Sequence, residues 1–295
     1  MSSVRWERTP ELSDPVMVAA FGGWNDAADA ASDAVAWLGR CFGASTFAEL
    51  DPEGFYDFQA ARPQVMLRHG VMKGLTWPTT SFAAATAEAS GRDLVLVTGP
   101  EPNMAWKDFC DTILDVASQV GASMLVTLGA LLAEAPHTRP VRITGVASEP
   151  GLAARVHLHP SHYEGPTGVT GVLHHRATEA DLVAASLWAP VPHYVAAPPN
   201  PRCTLALLEA FGAATDLPLD TENLHEEAEG WQRRVEVAAG SDADIENYVR
   251  NLEATYDAED DRGPIESGAL DSEGDLPSGD ALAAEFQKYL RGEHD

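Results

Sequence analysis

The chain has 295 residues and a formal net charge of −26, and 45% of its residues are hydrophobic. This composition is typical of a globular protein and argues against wholesale disorder. The negative charge disfavours nucleic acid as a partner, because phosphate binding requires Lys and Arg side chains that displace counterions. The sequence contains neither an unbroken run of about 18 apolar residues nor the apolar segment of a signal peptide, so we expect a cytoplasmic protein that does not enter a membrane.

The charge is unevenly distributed along the chain. Residues 1–215 hold 22 acidic and 13 basic side chains, whereas residues 216–295 hold 23 acidic and 6 basic. The second region ends in a stretch rich in Asp, Glu, Gly, Pro and Ser, a composition with little to bury. We therefore predict an α/β core domain at 1–215, an acidic helical appendage at 216–256, an acidic flexible linker at 257–280, and a C-terminal amphipathic helix and tail at 281–295.

Short apolar runs predict the strands of the core. The clearest are residues 16–21, which are apolar throughout, and 94–98, which are apolar up to Thr98; both therefore indicate strands buried on both faces. Strands separated by helices favour a mostly parallel sheet with helices on both sides, which is an α/β/α sandwich. The other predicted strands are residues 46–50, 65–67, 124–128, 143–147 and 194–196.

Helical periodicity predicts the connecting elements. The first helix follows the first strand, where Asn25 or Asp26 can cap its free N–H groups and Gly39 can end it. Two Ala-rich stretches, residues 27–38 and 82–89, are predicted to be surface helices that suit contacts between subunits. The full set of predicted helices in the core and appendage is 25–39, 82–89, 106–120, 222–237 and 242–256.

The loops that follow the predicted strands define one candidate ligand cleft, because the carboxyl ends of parallel strands meet at the same edge of a sheet. The turn after the first strand also opens a helix, where backbone N–H groups can bind an anion. It matches neither a dinucleotide-binding nor a P-loop pattern, and a tight structural turn explains its glycines equally well. A glycine-rich segment, residues 163–171, either serves the backbone path alone or closes over the cleft. The candidate cleft residues are Gly22, Gly23, Trp24, Asn25, Asp26, Thr98, Gly99, Glu101, Asn103, Tyr163, Glu164, Gly165 and Gly168.

The sequence contains few motifs that indicate a catalytic site. Glu101 and Asp26 would suit a carboxylate pair for acid–base chemistry, but the prolines beside Glu101 suit a structural turn as well. A GxSxG nucleophile elbow is absent, and the chain has only three lysines, which argues against nucleotide clamping. We predict no catalytic residue from the sequence alone.

Neither the histidines nor the cysteines predict a metal or cofactor site. Five of the ten histidines fall between residues 157 and 175, without the spacing of metal ligands. The cysteines, Cys41, Cys110 and Cys203, lie far apart and form no CxxC pair, so we predict three small buried hydrophobic residues rather than disulfides or zinc ligands.

The last predicted helix is amphipathic and forms a candidate partner-binding tail. Phe286, Tyr289 and Leu290 lie near one face of it and are able to anchor a helix in a groove.

Four sequence segments resemble those of a known family. They are VMVAAFGGWNDAADAASDAVAWL, GPEPN with the W-x-x-F that follows, YEGPTGVTGVL and SLWAPVPHYVAAPPNP. In this order they resemble the actinobacterial branch of the proteasome assembly chaperone family, second-subunit type, over residues 15–255. The resemblance implies an α/β/α sandwich similar to purine nucleoside phosphorylases, built into a homo-oligomer, with a trimer favoured. It implies proteasome subunits as partners and assigns no catalytic residue.

Some members of that family end in a hydrophobic–Tyr–any tripeptide that enters pockets between proteasome α-subunits. In this chain Lys288 precedes Tyr289 and five residues follow Leu290. Both departures argue against insertion of the tail in that manner.

Two hypotheses for the function follow from the sequence. The first is a non-catalytic, oligomeric, chaperone-like binding protein that assists assembly of the proteasome or another complex. The alternative is an enzyme that acts on a small nucleoside-like or phosphorylated ligand in a phosphorylase-like cleft.

Overall fold

The computed structural model describes residues 4–87, 90–159 and 163–260, except for the side chains of residues 259 and 260. These described residues belong to one compact unit. The predicted C-terminal helix and its three tail residues, Phe286, Tyr289 and Leu290, lie outside the described residues, as does most of the predicted linker.

The described chain alternates strands and helices, as the apolar runs predict. The strands are β1 (Val4–Trp6), β2 (Val16–Gly22), β3 (Ser45–Leu50), β4 (Gln64–Arg68), β5 (Val71–Thr76), β6 (Ser81–Ala85), β7 (Leu94–Pro100), β8 (Met124–Ala133), β9 (Thr144–Ala147) and β10 (Val183–Pro192). The helices are α1 (Ala30–Cys41), α2 (Trp106–Gln119), α3 (Pro150–Arg155), α4 (Val169–Glu179), α5 (Pro201–Thr215), α6 (Glu222–Ala239) and α7 (Ala243–Asp260).

Eight strands form one mixed sheet in the order β1-β3-β6-β7-β2-β8-β10-β9. The four central strands, β7, β2, β8 and β10, are parallel, as predicted. The outer strands pair antiparallel, which the sequence did not predict. The connection from β6 to β7 is too short for the crossover that a parallel pair requires, so these two strands pair antiparallel. Strands β4 and β5 form a separate two-stranded hairpin.

Helices cover both faces of this sheet, so the chain is an α/β/α sandwich. In β2, Val16 and Val18 belong to the hydrophobic core under α1 and α5. Their neighbours Met17 and Phe21 belong to the second core, under α2 and α4. Alternate side chains of one strand thus enter opposite cores, which explains why β2 has no polar residue.

Two predicted elements are wrong. Residues 194–196 are not a strand but overlap a 3-10 turn, His193–Val195, because the true strand, β10, ends at Pro192. The stretch 82–87 is not helical, and residues 88–89 lie outside the described residues. Strand β6 holds Phe82 fully buried between β3 and β7, so pairing in the sheet overrides the helix propensity of its alanines.

The acidic helices α6 and α7 pack onto the rest of the compact unit. Leu224 of α6 joins the core under α5. Asp257 of α7 accepts hydrogen bonds from the Arg139 guanidinium on both of its carboxylate oxygens, each at 2.8 Å. Helix α7 continues to Asp260, so residues 257–260 of the predicted linker are helical. None of the helices in the described ranges combines the length and apolar character that crossing a bilayer requires.

Candidate functional site

The three predicted cleft loops meet at the carboxyl edge of the central strands. The Asn25 side chain is fully buried, and its Nδ2 donates to Glu101 Oε1 at 2.6 Å. The Val169 N–H donates to the same oxygen at 2.9 Å. In addition, the Glu101 N–H donates to the Gly22 carbonyl at 2.8 Å. One carboxylate oxygen therefore joins the loop after β2, the loop after β7 and the start of α4.

Glu101 supplies the N-cap that α4 does not have in its own sequence. The capping position is Gly168, which has no side chain to accept a hydrogen bond. A negative carboxylate near the first N–H groups of a helix stabilises it. Gly168 is required for a different reason: a Cβ at this position would lie 1.9 Å from Asn25 Oδ1. The glycine lets the loop backbone lie directly against the buried amide.

Asp26 caps α1, the other helix that begins at this edge. Its Oδ1 accepts from the Ala31 N–H at 2.8 Å and from the Ser32 N–H at 3.2 Å. This confirms the predicted cap, although α1 starts only at Ala30 and continues past Gly39 to Cys41. Burial raises the pKa of Asp26, and the hydrogen bonds from Ser32 and Ala31 partly oppose that effect.

The two carboxylates proposed as an acid–base pair thus have separate structural partners. Glu101 binds Asn25 and the start of α4, whereas Asp26 binds the start of α1. The Asp26 Oδ2 atom is buried and has no hydrogen-bond partner within the described part of the chain. An unpaired buried oxygen disfavours the charged carboxylate, in agreement with the raised pKa.

Three of the predicted cleft residues lie away from this junction. Thr98 Oγ1 lies 3.1 Å from the Ser81 hydroxyl of β6. A side chain at Gly99 would meet the backbone of Thr79 at 2.7 Å. Asn103 Oδ1 accepts from the Asp57 N–H at 2.9 Å. These contacts join the end of β7 and its loop to β6 and to the segment between β3 and β6.

The segment before α4 is exposed, apart from Gly168. The Tyr163 hydroxyl donates to the Pro166 carbonyl at 2.8 Å, and Gly165 lies beside the Tyr163 ring. Glu164 is exposed and available to solvent. The Gly23 backbone has a φ of +122°, a conformation that favours glycine and turns the chain sharply after β2.

Large apolar side chains are exposed around this edge, and we call them the rim. Trp24 is 66% exposed and Tyr163 68%, and Met104, Leu131 and Leu132 are also exposed. The sequence pointed to Trp24 and Tyr163 but missed the other three. For Leu131 and Leu132 the available signal was the length of the apolar run in β8, whose last residues are exposed. An exposed apolar surface of this kind is typical of a protein-binding site.

The histidine cluster does not assemble into a site in the described residues. His174 Nδ1 is buried without a partner in those ranges, and burial lowers the pKa of His174, with a smaller contribution from neighbouring His175. His175 instead lies 3.6 Å from exposed Glu179, and His162 falls outside the described residues. Over the same ranges, no three His, Cys, Asp or Glu side chains are grouped as metal ligands would be.

The cysteines differ from one another in exposure. Cys110 and Cys203 are buried, as predicted, and burial raises the pKa of each thiol to about 12. The prediction for Cys41 was wrong, because it is exposed at the end of α1. A surface cavity with a volume of about 370 Å³ is lined by residues that include Cys41 and Leu217 and by no residue of the three loops.

A comparison with known protein families found a match over most of the chain. A family model described as the PAC2 family matches residues 20–239, from the end of β2 to the end of α6. This span includes the three loops that meet at Asn25 and Glu101. No curated protein matches the chain.

Solved structures share both sequence and fold with this chain. A PAC2 family protein from Streptomyces avermitilis is 49% identical, with a TM-score of 0.73, and the match covers 80% of this chain and 100% of that one. A proteasome-assembly chaperone homologue from Mycobacterium tuberculosis is 42% identical, with a TM-score of 0.75 and coverage of 79% and 99%. PbaB, an archaeal proteasome activator from Pyrococcus furiosus, is 17% identical with a TM-score of 0.64, over 81% of this chain and 99% of its own, and shares the fold alone.

Proposed function

Because this chain belongs to the PAC2 family, we propose that it is a non-catalytic, chaperone-like protein that acts by binding partner proteins. The observation that carries the proposal is the 42% identity to a proteasome-assembly chaperone homologue over almost the whole of that protein. Proteasome subunits are the partners that this similarity supports. Binding to another complex during its assembly is the broader form of the same function.

The carboxyl edge of the sheet supports binding rather than catalysis. Glu101 and Asp26 each accept backbone N–H groups at the start of a helix, so their hydrogen bonds serve the fold. Around them, the rim exposes two aromatic rings, Trp24 and Tyr163. Exposed aromatic side chains are enriched among residues that dominate protein–protein binding. We therefore propose the rim as the partner-binding surface.

The enzyme hypothesis has one observation in its favour. The raised pKa of Asp26 would suit a general acid, since it keeps the proton to a higher pH. However, Oδ1 of this carboxylate already accepts two backbone hydrogen bonds from α1. The likeness to purine nucleoside phosphorylases and a phosphorylase-like ligand both stay predictions, and they rank below the binding function.

We also propose that the protein is a homo-oligomer, with a trimer as the favoured state. One chain has a mass of 31.5 kDa, so light scattering separates the alternatives directly. A mass of three chains is expected. A single-chain mass across the accessible concentrations would contradict this part of the proposal.

The binding function is tested by affinity capture from native cell extract followed by mass spectrometry. The full chain is compared with a Trp24→Ser/Tyr163→Ser variant of the rim and with a variant truncated after Asp260. Val146→Ser is the matched control, since Val146 is 52% exposed on β9 and belongs neither to the rim nor to the acidic helices.

We expect the full chain and the control to recover proteasome α-subunits and the rim variant to lose them. Loss on truncation alone would move recognition from the rim to the tail while keeping the binding function. Recovery of no α-subunit by the folded full chain would contradict proteasome subunits as partners.

A further inference from the structure

The β4–β5 hairpin exposes more large apolar side chains than any other segment that the structure describes. Its exposed apolar residues include Met66, Leu67 and Met72, each between 62% and 63% exposed. Val65, Val71 and Leu75 are between 48% and 55% exposed. Pairing places four of these side chains beside one another, since Val65 lies opposite Leu75 and Leu67 opposite Met72. Contiguous apolar surface of this extent marks an interaction site.

The hairpin has little support from the rest of the described chain. Its two strands form a sheet of their own, and neither packs closely against another described element. At its base, the Trp77 ring packs against Phe58 with ring centroids 4.7 Å apart. An isolated two-stranded hairpin is marginally stable in water, and both of its outer edges present unpaired backbone groups. A surface that covers it would therefore stabilise it.

The charge of this segment is opposite to that of the whole chain. Residues 58–87 contain Arg62, Arg68 and Lys73 and no acidic residue, so all 45 acidic side chains lie elsewhere. None of the three basic side chains forms an ion pair with a described residue, and Arg68 and Lys73 lie within the exposed strands. A basic, apolar surface complements one that is acidic and partly apolar.

We propose that the hairpin of one copy docks on the acidic body of a second copy of this chain. The inference rests on the homo-oligomer proposed above and adds the surface that forms it. The second copy offers the required charge, since residues 216–260 alone hold 14 acidic and 3 basic side chains. Exposed Val237 and Ile245 lie among those carboxylates.

The contact joins two different surfaces rather than two hairpins. Hairpins placed edge to edge would bring Arg68 and Lys73 of both copies together, and like charges in direct opposition are destabilising. A contact between different surfaces closes into a ring when its rotation allows, and a trimer is such a ring. The 20 residues from 58 to 77 include no buried residue, and about 20–30 residues per side is usual for a specific interface.

The test measures the mass of the full chain by light scattering as a function of concentration. Two hairpin variants are compared with wild type: Met66→Ser/Met72→Ser removes apolar surface, and Arg68→Glu/Lys73→Glu reverses the charge. The matched control for charge is Arg40→Glu/Lys107→Glu, which reverses two exposed basic side chains on α1 and α2, outside both the hairpin and the acidic helices. All of these positions are exposed, so thermal unfolding and circular dichroism are expected to show an intact fold for every variant.

We expect the wild type and the control to be oligomeric, and each hairpin variant to dissociate with a constant raised by at least about tenfold. Added salt is expected to weaken the wild-type oligomer, because it screens the basic groups of the hairpin. Hydrogen exchange is expected to be slower at residues 64–76 in the oligomer than in the dissociated variants.

The outcomes separate this inference from the proposed function. A monomeric wild type would overturn the homo-oligomer and the docking together. An oligomer that both hairpin variants leave intact would overturn the docking alone. Hairpin variants that keep the wild-type mass but lose a captured protein would assign the hairpin to a different partner and would also overturn the docking.

Discussion

Glu101 is the residue whose removal tests the loop junction most sharply. Glu101→Ala leaves two buried donors, Asn25 Nδ2 and the Val169 N–H, without their common acceptor. Each unpaired buried donor costs about 1–3 kcal/mol, so we expect the free energy of unfolding to fall by about 2–6 kcal/mol. At about 2–4 °C per kcal/mol for a domain of this size, the melting temperature would fall by about 4–24 °C.

The assay is denaturant unfolding followed by circular dichroism, with two companion variants. Glu101→Gln keeps a neutral acceptor and is expected to lose about 1 kcal/mol, because charge-assisted hydrogen bonds are roughly twice as strong as neutral ones. Glu164→Ala removes an exposed carboxylate of the same loop region and is expected to change the stability by less than about 0.5 kcal/mol. If Glu101→Ala is no less stable than Glu164→Ala, Glu101 does not hold the three loops together.

Three further predictions concern titration and reactivity. The pKa of Asp26 is raised above its ordinary value of 3.8, so the contribution of Asp26 to stability falls as the pH rises from 3.8 through the folded pKa. We expect Asp26→Asn to flatten that part of a stability–pH curve. The pKa of His174 is lowered from its ordinary value of 6.5, so stability falls as the pH drops from 6.5 through the lower folded pKa. The slope is at most about 1.4 kcal/mol per pH unit. A stability–pH curve with the same slope in His174→Gln would contradict this assignment. Labelling of the native protein with a thiol reagent should modify exposed Cys41 alone, whereas Cys110 and Cys203 should react only after unfolding, and equal rates for all three would show that the burial is wrong.

The sequence predicted the central elements well because their signals are local. The apolar runs of β2 and β7 reflect burial on both faces, and Asp26 follows β2 where a helix needs a cap. Proline residues in β10 obscured its pattern, although the strand pairs with β8 along its whole length. Strand β6 has a helix-forming composition and is a strand only because β3 and β7 enclose it.

The candidate site could be predicted only in part, because its contacts are distant in sequence. The sequence identified the loops of Asn25 and Glu101 separately, but these residues are 76 positions apart and their hydrogen bond follows from the order of strands in the sheet. The same holds for Gly168, whose requirement comes from Asn25 packing against it. The exposure of the β4–β5 hairpin was also not predictable, since an apolar strand usually indicates burial.

The most direct test of the proposed function is a binding measurement with purified proteasome α-subunits and the purified full chain. Surface plasmon resonance would compare the wild type, Trp24→Ser/Tyr163→Ser and the Val146→Ser control. We predict saturable binding that the rim variant weakens at least about tenfold and the control leaves unchanged, as expected for aromatic anchors in an interface. The absence of saturable binding by folded wild-type protein would contradict the assignment of proteasome subunits as its partners.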